Sequence, residues 1–254
     1  MKVSAVVISH GHADELARSL PALAPQVDEL LVIANIPGSV PSELPAGARV
    51  LENERRLSFA ANANLGAART EHELVLIVNP DAVPEPDAVA TLRAFLETHP
   101  RAGVAGPRML YSDGSWQASR RRFPTVGGTL VRRTPLRLLF PPLRWQRRHY
   151  LLDEHPDEPV LTDTMLGAFL LLRRAMLDEI GGWDAGYRMY CEDIDLNYRA
   201  AKTGWERWYV PDAVVRHEYA AVVDKHFFTR HTLWHARAMV RFLRKHPERL
   251  LALR

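Results

Sequence analysis

The chain has one cysteine, Cys191, in 254 residues. A lone cysteine cannot form an internal disulfide, so the fold must rest on its core, and a reducing, cytoplasmic compartment is implied. No uninterrupted apolar run approaches the ~18 residues that a membrane-spanning helix needs. The N-terminus offers one lysine and a short apolar run, Val3 to Ile8, which suits a first strand better than a signal peptide. No Gly-x-Gly-x-x-Gly follows that run, and there is no Walker A sequence, which argues against dinucleotide and P-loop chemistry. No repeat or low-complexity block occurs. Acidic residues are absent from positions 114 to 152, which carry nine arginines. The whole chain is only +3, so the remainder is net acidic and the positive charge is a patch.

What is present is an ordinary globular composition, 47% apolar and 25% charged, long enough to bury a core without staples. Val3 to Ser9, Glu29 to Ala34 and Leu74 to Val78 are continuous apolar runs, as expected of strands buried on both faces. Arg49 to Glu52 and Ala102 to Ala105 read as shorter strands. Helices are expected over Asp14 to Leu23, Ser58 to Arg69 and Asp87 to Thr98, with Pro21 blurring the end of the first. This alternation implies an α/β domain with a mostly parallel, doubly wound sheet and ligands beyond the carboxyl ends of its strands. Asn35 and the segment Asn79-Pro80-Asp81 fall at such ends. Further on, Leu161 to Arg173 reads as one strand, a short helix follows to Ile180, and Trp205 to Val210 is another strand. A basic, aromatic helix is expected from Lys225 to Lys245.

The stretch from Gly181 to Arg199 organises the second half. A glycine pair ends the preceding helix, an aromatic loop follows, and Glu192, Asp193 and Asp195 crowd the first turn of a new helix. Cys191, Ile194, Tyr198 and Ala201 recur at three- and four-residue spacing and form its expected apolar face. Asp193 lies off that stripe and can point into what the loop encloses. Acids in a first turn are also favoured by the helix dipole alone. Asp81 reads equally as a turn residue after proline, and His217, which follows a strand and a Pro-Asp turn, as a structural histidine.

The order and spacing of four segments resemble the family 2 glycosyltransferases, and among them the rhamnosyltransferase-like members. They are Val6-Val-Ile-Ser-His10; Asn53 with Ser58-Phe-Ala-Ala-Asn-Ala-Asn-Leu-Gly66; Leu76-Ile-Val-Asn-Pro-Asp81; and the block of Gly167-Ala-Phe-Leu, Gly181-Gly-Trp-Asp184 and Glu192-Asp-Ile-Asp195. The resemblance covers roughly residues 3 to 220 and implies a GT-A fold. It divides the chain into a catalytic domain over 1–225 and a helical basic tail over 226–254. Within the domain, 1–108 form the nucleotide-sugar half and 109–225 the acceptor half.

That resemblance implies inverting, metal-dependent transfer of a sugar, rhamnose among the candidates, from a dTDP-, UDP- or GDP-sugar to a hydroxyl acceptor in cell-envelope or natural-product glycan synthesis. Ser9, His10, Asn35, Asn64, Asn79 and Asp81 would contact the donor, and Asp81 and His217 would hold Mg²⁺ or Mn²⁺. Asp193 would be the general base, with Glu192 beside it raising its pKa. Asn79 stands where the family's metal motif usually has its first acid. Ala34-Asn35 stands where many relatives carry a base-contacting acid, so either Asn35 substitutes or base recognition differs. A catalytically silent nucleotide-sugar-binding module is the second reading, motivated by these departures. A nucleotidyltransferase ranks last, since the loop after the first strand offers only His10 and His12, with Arg18 farther along the helix.

Arg120-Arg121-Arg122, Arg132-Arg133 and Arg147-Arg148 alternate with Phe123, Leu138-Leu-Phe140 and Trp145. Basic plus apolar character points to a lipid-linked, pyrophosphate-bearing acceptor or to peripheral contact with the inner face of the plasma membrane. No nucleic-acid motif accompanies the patch. Trp183 is placed with Arg120, Arg121 and Arg122 on the acceptor side.

Overall fold

The computed structural model describes residues 1–124, 144–218 and 230–250. Arg132, Arg133 and Leu138 to Phe140 of the arginine patch lie outside these residues, as do positions 225–229 of the expected tail helix and the side chain of Trp145.

The first half follows the alternation of its sequence. Strands β1 (Val3–Ser9), β2 (Glu29–Ala34), β3 (Arg49–Glu52) and β4 (Leu74–Val78) are joined by helices α1 (Ala13–Leu23) and α2 (Phe59–Ala68). Their order in the sheet is β3-β2-β1-β4, all parallel. Every residue of β1 and β4 is buried. Successive side chains of a strand face opposite ways. Val3, Ala5 and Val7 therefore join Leu16, Leu20 and Leu23 of α1 on one face. Val6 and Ile8 join Ala60 and Ala63 of α2 on the other. Ser58 caps α2 by accepting from the Ala61 N–H at 3.2 Å. Gly66 sits on β1, where an added Cβ would lie 2.2 Å from Val6 Cγ1.

Beyond β4 the sheet becomes mixed. β5 (Ala82–Pro84), α3 (Ala88–Thr98), β6 (Ala102–Leu110), β7 (Trp116–Gln117), β8 (Arg120–Arg121) and α4 (Arg144–His149) follow. Then come β9 (Val160–Leu161), β10 (Thr164–Met165), β11 (Phe169–Arg173), α5 (Arg174–Ile180), α6 (Glu192–Lys202), β12 (Glu206–His217) and α7 (Arg230–Lys245). The order continues β4-β11-β6-β12-β5, with β11 antiparallel to both neighbours and β12 parallel to β6.

Four expectations change. Residues 161–173 are three strands, because their partners differ: β9 pairs β12, β10 pairs β8, and β11 pairs β4 and β6. The strand expected to end at Val210 runs to His217, since a register shift between Val210 and Val214 absorbs Pro211, as bulges do. Residues 82–84, which carry no strand signal in the sequence, form an edge strand against the end of β12. The strand from Ala102 runs on to Leu110.

α6 has two apolar faces instead of one. Leu196 and Ala200 pack on the sheet with Met176 and Leu177 of α5. Cys191, Ile194 and Tyr198 pack on Ala238, Met239 and Phe242 of α7. Asp195 is fully buried. It accepts hydrogen bonds from Arg199 Nε at 2.7 Å and from Lys245 Nζ and His246 Nε2, each at 2.9 Å. Arg241 and Lys245 also bind Asp184. The tail helix is thus fastened to α6.

Candidate active site

The carboxyl ends of β1, β2, β4 and β12 share one edge of the sheet, and the candidate residues collect there. In the register of β12 with β5, His217 lies opposite Ala82, which brings Asp81 beside it, with His217 Nε2 3.5 Å from Asp81 Oδ1. The other ring nitrogen, Nδ1, lies 3.0 Å from Gln117 Oε1, and Gln117 Nε2 donates to the His217 carbonyl at 3.4 Å. Burial pushes the His217 pKa down against the pull of Asp81, so the imidazole is neutral, and burial pushes the Asp81 carboxyl up against the pull of His217.

A hard carboxylate oxygen and a neutral imidazole whose far nitrogen is oriented by a neighbour fit a divalent cation. No cluster of three His, Cys, Asp or Glu suited to a metal occurs among the described residues. Such an ion would therefore take the rest of its oxygen ligands from substrate and water, as Mg²⁺ and Mn²⁺ commonly do.

Asp193 reaches the same edge by another route. The Asn79 N–H donates to the Ala168 carbonyl at 2.8 Å, and the neighbouring Gly167 N–H donates to Asp193 Oδ2 at 3.3 Å. The turn entering β11 thus links the end of β4 to the start of α6. A second N–H, from Ile194, reaches Asp193 Oδ1 at 2.8 Å. Burial raises the Asp193 carboxyl, and the nearby Arg121 guanidinium and these N–H groups hold it down in part. Glu192 Oε2 is buried without a hydrogen-bond partner. Burial first, then the Asp193 charge, pushes Glu192 up to about 8. Both adjacent carboxyls are thus pushed above the usual carboxylate range, chiefly by burial, and they titrate as a pair.

Around β2 the candidate donor residues His10 and Asn35 join Asn53 and Asn62 in a hydrogen-bonded amide lattice. Asn35 Nδ2 donates to Leu57 O and to His10 Nδ1, both at 3.0 Å. Asn35 Oδ1 accepts from Leu57 N at 2.8 Å and Asn53 Nδ2 at 2.9 Å. Asn53 also donates to Asn62 Oδ1 at 2.7 Å. Every hydrogen-bonding position of the Asn35 amide is filled. Ser9 is buried, and its hydroxyl donates to the Ser39 carbonyl at 2.7 Å. Burial, followed by Arg56 and His12, lowers the His10 pKa.

Other candidates separate from this edge. Asn64 donates to Trp183 O and accepts from Trp183 N, both at 2.8 Å. The two residues line a cleft of about 350 Å³ to which Asp81, Asp193 and His217 contribute nothing. The arginine run divides. Arg120 is buried, donates to the Glu154 carbonyl at 2.9 Å and lies 4.9 Å from the Tyr209 ring centre, so it is no part of an exposed patch. Arg121, the next residue of the strand and so turned the other way, acts on Asp193 and lies 5.2 Å from the Tyr150 ring centre. Arg122 is exposed, 3.9 Å from Glu154. Gln117 carries no sequence signal, because its contact with His217 spans 100 positions.

The profile of the family described as "Glycosyltransferase like family 2" matches residues 39–238. The chain belongs to this glycosyltransferase family. An N-acetylglucosaminyl-diphospho-decaprenol L-rhamnosyltransferase of Mycobacterium tuberculosis is 32% identical to it over 241 residues, covering 87% of this chain and 76% of that protein. The rhamnosyltransferase WbbL of Escherichia coli is 25% identical over 260 residues, covering 94% and 91%. Among solved structures, GalNAc-T7 with UDP, GalNAc and Mn²⁺ superposes with a TM-score of 0.68 at 16% identity, over 96% of this chain and 48% of that one. A mannosyltransferase of Pyrobaculum calidifontis in complex with GDP-Man and Mn²⁺ superposes at 0.56 and 16% identity, over 87% and 58%. This glycosyltransferase thus spans about half to three fifths of these solved neighbours. Its fold is GT-A.

Proposed function

We propose that this glycosyltransferase moves a sugar, rhamnose first among the candidates, from a nucleoside diphosphate donor to a hydroxyl of a lipid-linked acceptor, with inversion. The observation that carries the reading is the convergence of Asp193 with the Asp81–His217 pair on one strand edge, linked through Gly167 and Ala168. The Mycobacterium tuberculosis relative, named for a diphospho-decaprenol acceptor, supports a lipid-linked substrate, and both relatives are named as rhamnosyltransferases. We infer that this glycosyltransferase works at the cytoplasmic face of the membrane, in cell-envelope glycan assembly. No helix among the described residues is long and apolar enough to cross a bilayer.

The chemistry follows from the geometry. The Asp193 carboxylate, oriented by two N–H groups and within the field of the Arg121 guanidinium, takes the proton of the acceptor hydroxyl as its oxygen attacks the anomeric carbon. The bond from that carbon to the diphosphate oxygen breaks with its electron pair, and opposite-face attack inverts the centre. Asp81 and His217 would hold Mg²⁺ or Mn²⁺, which would neutralise charge on the departing diphosphate. The buried Glu192–Asp193 pair titrates above the usual carboxylate range, and transfer needs the form in which Asp193 is ionised. Asn35 fixes the loop through Leu57, and backbone groups and ring faces are left to recognise the base.

Calorimetric titration of UDP, dTDP and GDP, each with Mn²⁺ and with chelator, tests the donor half. One diphosphate is expected to bind in a metal-dependent way, and its sugar is expected to transfer to a polyprenyl-diphosphate acceptor. Failure of all three to bind would overturn the reading, and binding without transfer or donor hydrolysis would return it to a silent module.

A further inference from the structure

The outer side of α7 presents a surface that the transfer chemistry does not use. Positions 230, 233, 237, 240 and 244 are three or four residues apart and share one helix face. They are Arg230, Leu233, Arg237, Val240 and Arg244, and all are exposed, while Ala238, Met239 and Phe242 on the opposite side are buried against α6. Leu233 and Val240 are 50% and 48% exposed, and Leu250, just beyond the helix, is 52% exposed. Of seven large apolar side chains exposed among the described residues, these are three, so the tail concentrates what the rest of the surface avoids. The helix contains no Asp or Glu. Arg241 and Lys245 are engaged by Asp184. Arg230, Arg237 and Arg244 form no ion pair among the described residues. Arg230 and Arg188 lie 5.6 Å and 4.3 Å from the Trp234 ring centre, adding cationic character at the start of the helix.

We propose that this face of α7 docks on an anionic lipid bilayer. The helix would lie in the interface plane, with Leu233 and Val240 at the boundary of headgroups and acyl chains and Arg230, Arg237 and Arg244 among lipid phosphates. Charge complementarity selects the partner, and the interleaved apolar side chains separate it from nucleic acid, whose phosphate backbone has no use for them. The hydrogen bonds of Lys245 and His246 to Asp195 join α7 to the helix whose first turn carries Glu192 and Asp193. Docking therefore sets the orientation of the active edge toward a membrane-borne acceptor. The proposal extends the lipid-linked reading. It is measured without donor or acceptor, so it stands or falls apart from transfer.

The test is sedimentation of the full chain with vesicles of phosphatidylglycerol and phosphatidylcholine in equal parts, and with phosphatidylcholine alone. Binding is expected only to the anionic vesicles. Arg237→Gln with Arg244→Gln should weaken it about 25-fold, at about fivefold for each basic residue near an anionic surface. Leu233→Gln with Val240→Gln should leave binding that high salt abolishes. All four positions are exposed, so each variant should keep its parent melting temperature. Absence of binding by the parent chain, equal affinity in both variants, or tighter binding to a nucleic-acid duplex than to vesicles would overturn the proposal.

Discussion

Replacing Asp195 by asparagine should loosen the tail while sparing Asp193, the proposed base two residues away. The Asp195 carboxylate is fully buried and accepts from Arg199, Lys245 and His246, and from the Tyr187 hydroxyl at 3.3 Å. Asparagine keeps the shape, but it removes the charge and turns an N–H₂ toward cationic donors. Removing one partner of a buried ion pair costs about 3–5 kcal/mol. Lys245 is partly exposed, so solvent screening discounts its share, and a loss of about 3 kcal/mol is expected. At about 2–4 °C per kcal/mol for a domain of this size, the melting temperature falls by about 6–12 °C. The sign with pH can also be checked. Burial alone would raise the Asp195 carboxyl, but the His246 hydrogen bond and the pairing with Arg199 and Lys245 outweigh it and hold the group below its usual range. Its contribution is therefore complete above the unfolded carboxylate pKa of about 4 and fades as pH falls through the folded value. Melts of parent and Asp195→Asn should differ most at neutral pH and converge in acid, and trypsin should cut the variant's tail faster. A variant that melts within about 2 °C of the parent at neutral pH, on the same scale, or a gap unchanged in acid, would refute the reasoning.

Asp193→Asn should abolish transfer, with diphosphate binding retained in calorimetry. In the parent chain the rate should rise with pH on the acid side, because burial raises the Asp193 carboxyl and only its ionised form takes a proton. Glu192→Gln should raise stability at neutral and alkaline pH. Burial and the Asp193 charge lift Glu192 to about 8, so the folded state loses stability as pH climbs from the ordinary carboxylate range to that value. Thermal melts across this range should show a gain that grows with pH. Gly66→Ala should cost about 1–3 kcal/mol in denaturant unfolding, since its Cβ would press on Val6, which is itself buried and β-branched.

The parts of the fold that could be read directly were those whose determinants are local. β1 and β4 are unbroken apolar runs, and α2 carries its own cap at Ser58. β5 escaped notice because three residues ending in Pro84 have no strand signature until β12 arrives some 130 positions later to pair with them. The candidate site shows the same division. Asp81, Asp193 and His217 could be named from the resemblance of the sequence to a family, but Gln117 and Gly167, which bond to two of them, act across 100 and 26 positions. Asp195 resembles its neighbours as an acid in a first turn, and only the packing of α7 separates this fastening carboxylate from Asp193, the proposed base. Arg120 and Arg121 are identical letters whose fates part on the two sides of a two-residue strand.

The amide lattice at Asn35, Asn53 and Asn62 bears on how this glycosyltransferase could change over time. Its members are neutral, buried and bonded to one another, and Asn35, whose amide is fully engaged, also ties down both backbone groups of Leu57. A single replacement inside it strands polar partners in the interior, at about 1–3 kcal/mol each. The lattice is therefore a ratchet against piecemeal drift. New donor preferences are more accessible through the loops it supports, where a change in length or side chain leaves the lattice whole.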